Sequence, residues 1–257
     1  MHAMKKKVRQ LFFAYGFLTV LPGLGRVRIL PEETGGSTLF YPLVGVTIGA
    51  FFFPLAHLRA LSPLTISVLM CVFVLIFTRA LHADGLIDTF DGFFSGANKP
   101  DQVMEVMKDS RLGAMGYVFS FCLYLVKIAF FYEILRNAPG PFPRSLAAVP
   151  ALSRGGVAVA GALFPPAGKK EGLGQAFVKS IGPGHAVGSF ALMAAIACLL
   201  IRPPLYGAML ATCSAGLWAV WGLVSKKKIG GMSGDTIGAG IELTEVCFLI
   251  LVRALIG

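Results

Sequence analysis

The chain has 257 residues, 56% hydrophobic and 14% charged, with 23 Lys and Arg against 13 Asp and Glu and a net charge of +10. A soluble domain usually carries about 25% charged residues, and so small a polar set cannot cover a water-facing surface. A soluble protein is thereby disfavoured, and a multi-pass integral membrane protein of the all-α class, a single transmembrane domain over residues 1–257, is expected instead.

In chain order, a basic start, residues 1–9, leads into an apolar block over 11–21 that is too short to cross about 30 Å of hydrocarbon. This block is expected to lie at the interface or dip in beside the bundle. It imitates a signal peptide, but residues 13–25 lack a convincing small-residue cleavage site. Residues 39–58 form the first clean span, and residues 62–78 a second near the lower length limit.

The densest polar signal follows, in Leu81-His82-Ala83-Asp84-Gly85-Leu86-Ile87-Asp88-Thr89-Phe90-Asp91-Gly92. On a helix, Asp84, Asp88 and Asp91 fall at i, i+4 and i+7 and share one stripe. Three like charges on one stripe repel, and a divalent cation with a taste for carboxylate oxygen relieves that repulsion. The plain alternative is a wet loop with aspartate caps, which the two Asp-Gly pairs allow. His82 beside the stripe is a weaker candidate, as an orienting group or a base.

Met107-Lys108-Asp109-Ser110-Arg111-Leu112-Gly113 supplies the complementary charge. Lys108 and Arg111, three apart, can hold phosphate oxygens, with Asp109 orienting one of them or joining a metal shell. A snorkelling interfacial pair is the structural alternative. Residues 113–132 then form a span containing Lys127, and residues 145–163 one containing Arg154.

Residues 180–201 and 203–225 are long charge-free spans. Beyond them, Gly230-Gly231-Met232-Ser233-Gly234-Asp235 opens a second acidic segment that continues through Glu242-Leu243-Thr244-Glu245 into the last span, residues 240–256. Asp235 and Glu242 are seven apart and can share a helix face. Carboxylates at membrane depth are costly unless they face an ion, a cavity or a partner. Glu242 is therefore a candidate metal ligand, with pairing to Lys127 or Arg154 as the packing alternative; the two can coexist.

These segments make about seven spans. With the N-terminus in the cytoplasm, sixteen of the 23 basic residues fall inside and five outside, which favours that orientation. The basic inner face also accounts for the net charge without nucleic acid as a partner. Cys71, Cys122, Cys198, Cys213 and Cys247 are single and scattered, and fit packing better than thiolate ligation.

The three motifs, in this order and at these separations, resemble the cobalamin synthases, also called adenosylcobinamide-GDP ribazoletransferases, across nearly the whole chain. The stretch Phe17-Leu18-Thr19-Val20-Leu21-Pro22 is similar to a segment of that family in which an arginine often stands where this chain has Val20. The resemblance implies a bacterial or archaeal inner-membrane transferase that depends on Mg²⁺. Its substrates would be adenosylcobinamide-GDP and alpha-ribazole or its 5′-phosphate, and its products adenosylcobalamin, or the 5′-phosphate, and GMP. It points to Asp84, Asp88, Asp91, Asp235 and Glu242 as metal ligands, with Asp235 and Glu242 alternatively accepting the proton of the attacking hydroxyl, and to Lys108, Arg111, Asp109 and His82 as catalytic groups. The bilayer is the expected surrounding partner, and a homo-oligomer stays open. Other readings are a CDP-alcohol phosphotransferase-like lipid synthase, whose arginine between the first acids is replaced here by Gly85, Leu86 and Ile87, and a transporter using the charges within spans.

Overall fold

A computed structural model describes residues 2–21, 27, 29–58, 60–109, 111–137, 144–168 and 172–256. Met1, positions 22–26, Arg28, Arg59, Ser110, Lys169, Lys170 and Glu171, which figure in the charge sorting and motifs above, lie outside the described residues.

The fold is helical, as composition requires. Helix α1 (His2–Leu18) precedes a 3-10 segment (Pro31–Phe40) that runs into α2 (Tyr41–Ala50) and α3 (Phe52–Ala56). Then come α4 (Pro63–Phe77), α5 (Leu81–Phe94), α6 (Pro100–Met107) and α7 (Ala114–Asn137). The second half holds α8 (Arg144–Gly155), α9 (Val157–Leu163), α10 (Leu173–Lys179), α11 (Pro183–Leu200), α12 (Pro204–Ile229) and α13 (Gly234–Ile256). Among the described residues, five helical stretches are long and apolar enough to cross a membrane, or six when α4 and α5 are taken together as one broken span. Helix α13, 23 residues long, falls outside that count because Asp235, Glu242, Glu245 and Arg253 lie along it.

Local chemistry sets the breaks. Ser62 accepts the Thr65 amide at 3.1 Å and Pro63 opens the first turn, so α4 starts where capping rules place it. It ends at Arg79 and Ala80, both left-handed with φ of 55° and 53°, and the chain leaves at 90° into α5. Helix α5 therefore lies across the direction of α4 and adds little depth to it.

Helix α8 is the centre of the bundle, buried at every residue from Ser145 to Gly155. Its small side chains admit close neighbours: a Cβ at Gly45 would overlap the backbone of Pro150 and Ala151, and one at Gly49 that of Ala147. This small-xxx-small contact brings α2 directly onto α8, a common solution where lipid offers no hydrophobic drive between helices.

Charges inside such a bundle must be paired. Lys127 on α7 donates to Glu242 at 2.5 Å and to Glu245 at 2.7 Å, both on α13. Arg154 on α8 donates to Glu245 at 2.5 Å, and its second terminal nitrogen lies 3.4 Å from His82 Nδ1 on α5. Two cations and two anions thus close a buried set linking three helices, and the Arg154–His82 contact adds α5 as a fourth. Lys127→Met leaves Glu242 buried and alone, and a loss of about 3 kcal/mol is expected, read as a lower midpoint of thermal aggregation in detergent. Adding Glu242→Met should recover most of it, because Glu245 keeps Arg154; a double variant no better than the single one would contradict the pairing.

Candidate functional site

The whole first acidic motif is helical, so the aspartate stripe exists, yet its three members have different surroundings. Asp84 is exposed, and Asp88 and Asp91 are half-buried. Asp91 accepts the amides of Gly113 at 2.9 Å and Gly116 at 2.8 Å, and so caps the start of α7. Gly113 and Gly116 carry no side chain because the Asp91 carboxylate occupies the space a Cβ would take.

Asp235 joins the stripe from another helix. A Cβ on Gly85 would press on the Cα and carbonyl of Asp235, at 3.0 and 2.8 Å, while one on Gly238 would meet the Cα of His82 at 3.2 Å. This reciprocal glycine contact lets α5 and α13 cross almost backbone to backbone. Asp88 registers the result: the charges of Asp84, Asp235 and Asp91 all bear on its half-buried carboxylate. Among the described residues, no group of three or more His, Cys, Asp or Glu side chains closes around a metal ion by itself. The donor set nevertheless suits a hard divalent cation, since Mg²⁺ commonly takes one or two carboxylates and fills its shell with substrate phosphate and water.

Glu242 does not join this cluster. It lies seven residues, roughly 10 Å along the helix, beyond Asp235, and its carboxylate is engaged by Lys127. The packing alternative describes it, and the four intramembrane charges that suggested transport neutralise one another. Arg111 is also occupied: its side chain is 88% exposed and holds Asp109 at 2.6 Å. These hydrogen bonds lower the Asp109 carboxyl to about 2. Lys108, in contrast, faces a cavity shared with Asp235.

That cavity, about 690 Å³, lies between α6, α10 and the turn before α13, and its polar lining includes Glu105, Lys108, Gln175, Ser233 and Asp235. A second cavity of about 500 Å³ is bordered by Phe13, Phe17, Tyr41, Phe177, His82 and Asp84, and also reaches Asp235. Gly174 and Gly234 likewise line both. Sequence reasoning missed the aromatic members, since phenylalanines in a membrane chain read as lipid-facing; only the glycines flanking Asp84 and Asp235 hinted that two backbones meet there. The other end of the bundle is different: Arg253, roughly 27 Å along α13 from Asp235, pairs with Glu133 at 3.1 Å.

Comparison with known proteins gives the chain's relatives. The family model described as cobalamin-5-phosphate synthase matches residues 10–253. An adenosylcobinamide-GDP ribazoletransferase of Syntrophobacter fumaroxidans is 34% identical over 240 residues, covering 92% of this chain and 94% of that protein. Proteins of the same name from Stutzerimonas stutzeri and Escherichia coli are 32% and 34% identical, covering 93% and 85% of this chain and 96% and 88% of their own lengths. No solved structure matches.

Since Asp91 holds two amides, Asp91→Ala is expected to destabilise the protein by about 1–2 kcal/mol, and Asp91→Asn by less. Hydrogen exchange at the first turn of α7 checks this; unchanged protection there in Asp91→Ala would remove the capping role.

Proposed function

This chain belongs to the cobalamin-5-phosphate synthase family, and from that premise we propose that it joins adenosylcobinamide-GDP to alpha-ribazole or its 5′-phosphate. A hydroxyl of the ribazole attacks the cobinamide-linked phosphorus, a phosphodiester forms, the bond to the GMP oxygen breaks, and the hydroxyl proton is released. The observation that carries the reading is that Asp235 of α13 lines both a Lys108-bearing cavity and an aromatic one, that Asp84 of α5 lines the second beside it, and that Asp88 lies within electrostatic reach of both carboxylates.

Asp84 and Asp88 are the carboxylates proposed to hold Mg²⁺. When bound, the ion would neutralise diphosphate charge and favour departure of GMP. Lys108 faces the same cavity and is suited to the diphosphate oxygens as a mobile point charge. Asp235, reached from both cavities, is in place to accept the proton of the attacking hydroxyl. Arg111, held by Asp109 on an exposed loop, can serve only after releasing that partner. The end of the bundle bearing these groups also carries Lys226, Lys227 and Lys228, which supports a cytoplasmic orientation for the site, at the inner membrane.

The test is GMP release by purified protein from adenosylcobinamide-GDP and alpha-ribazole, with and without Mg²⁺. Asp84→Asn and Asp88→Asn are each expected to reduce turnover by about a hundredfold or more while membrane insertion is kept. Unchanged turnover in both variants would remove the metal assignment, and CMP release from a CDP-alcohol without GMP release would replace the reaction.

A further inference from the structure

Two molecules must reach one phosphorus from opposite sides, because attacking and leaving oxygens lie roughly in line in phosphoryl transfer. Two cavities meet at Asp235, and they differ in chemistry. One carries Lys108, Gln175 and several acids; the other is largely apolar. A nucleoside diphosphate suits the first. The second needs a ligand with a flat apolar face.

Its walls are aromatic and ordered as a ladder. Phe13 and Phe17 stack at 5.8 Å and 6°, Phe17 meets Phe177 at 6.5 Å, and Phe177 stacks with Tyr41 at 6.5 Å and 17°. Each ring offers a π-face of the kind on which nucleobases stack. Two buried polar side chains, Tyr41 and His82, interrupt this lining, and the Tyr41 hydroxyl and His82 Nε2 both lack a hydrogen-bond partner among the described residues. His82 is only 2% exposed. Arg154 can only donate, so its 3.4 Å contact makes Nδ1 the acceptor and leaves the imidazole proton on Nε2. A buried donor without an acceptor is costly and selects a ligand that supplies one.

We infer that the aromatic cavity between α1, α10 and α13 binds the heterocyclic base of the nucleoside substrate, with Phe17 and Phe177 stacking on it and His82 Nε2 donating to a ring nitrogen. This rests on the proposed reaction for the identity of the nucleoside. Benzimidazole fits the chemistry: it is planar and apolar, and the nitrogen not bonded to ribose keeps a lone pair in the ring plane. His82 is then a specificity residue rather than a base, and the hydroxyls of the ribose are left at the Asp84 and Asp235 end of the cavity.

Equilibrium dialysis of the detergent-solubilised full chain with labelled alpha-ribazole tests this without requiring turnover, and so separates it from the reaction itself. Phe17→Ala, at an exposed position, and the milder Phe177→Leu should each weaken binding about tenfold, with monodispersity preserved. In the coupled assay both should raise KM for alpha-ribazole and leave KM for adenosylcobinamide-GDP within twofold. Wild type should prefer the benzimidazole riboside about tenfold over the indole riboside, which lacks the second ring nitrogen, and His82→Leu should bind the two equally. Unchanged ribazole affinity in both aromatic variants overturns the inference, as does loss of bound phospholipid in Phe17→Ala with ribazole binding intact, which would assign the cavity to a lipid chain. Failure of wild type to release GMP while ribazole binding obeys this pattern would remove the proposed reaction and leave the base site standing.

Discussion

The arrangement depends on a small number of charges that an apolar bundle can keep only as pairs. Lys127, Arg154, Glu242 and Glu245 come from three helices and neutralise one another within hydrogen-bond distance. Removing Lys127 would strand Glu242, and removing Glu245 would strand Arg154, at a depth where water cannot reach them. The set therefore fixes how α7, α8 and α13 face each other, and Arg154 extends the link to His82 at the start of α5. Helix α5 is consequently held at its first turn by a hydrogen bond from a charged group of this set and along its length by contact with α13.

That second contact makes a site out of two separate motifs. Gly85 and Gly238 let the backbones of α5 and α13 approach closely, and the same closeness sets the Asp235 carboxylate against the charge of Asp84 and Asp88. Larger residues at either glycine would spread the carboxylates and relieve the repulsion. Stability alone would favour that; keeping like charges together has a use if a cation and a diphosphate occupy the space between them. Asp91, the last of the stripe, is spent differently: it terminates α7 by taking two amides, and so fixes the helix that carries Lys127 relative to the helix that carries Asp88.

The two cavities give this cluster its chemical asymmetry. Lys108 stands on one side and a run of aromatic rings on the other, with Asp235 between. A protein that joins a nucleotide-activated molecule to a nucleoside needs such a division, because both partners are large and only their reacting atoms can share the centre. The 90° turn after α4 serves the same end: instead of burying the aspartates further along a straight span, it carries them sideways to where α6, α10 and the head of α13 gather.

From sequence alone came the membrane class, the helical segments, the sorting of charge to two ends and the resemblance to a family, because each follows from local composition and spacing. The motif over residues 81–92 gave the stripe itself, since helical periodicity is a property of the chain. Which aspartates act together was decided elsewhere: Asp91 is claimed by amides 22 and 25 residues away, and Glu242 by a lysine 115 residues away. Phe17 and Phe177 likewise lie far apart along the chain and became one wall only when α1 met α10. A carboxylate or a ring can be read from sequence, but its partner is chosen by whichever distant segment folding brings within a few ångströms, where desolvation and pairing fix its role.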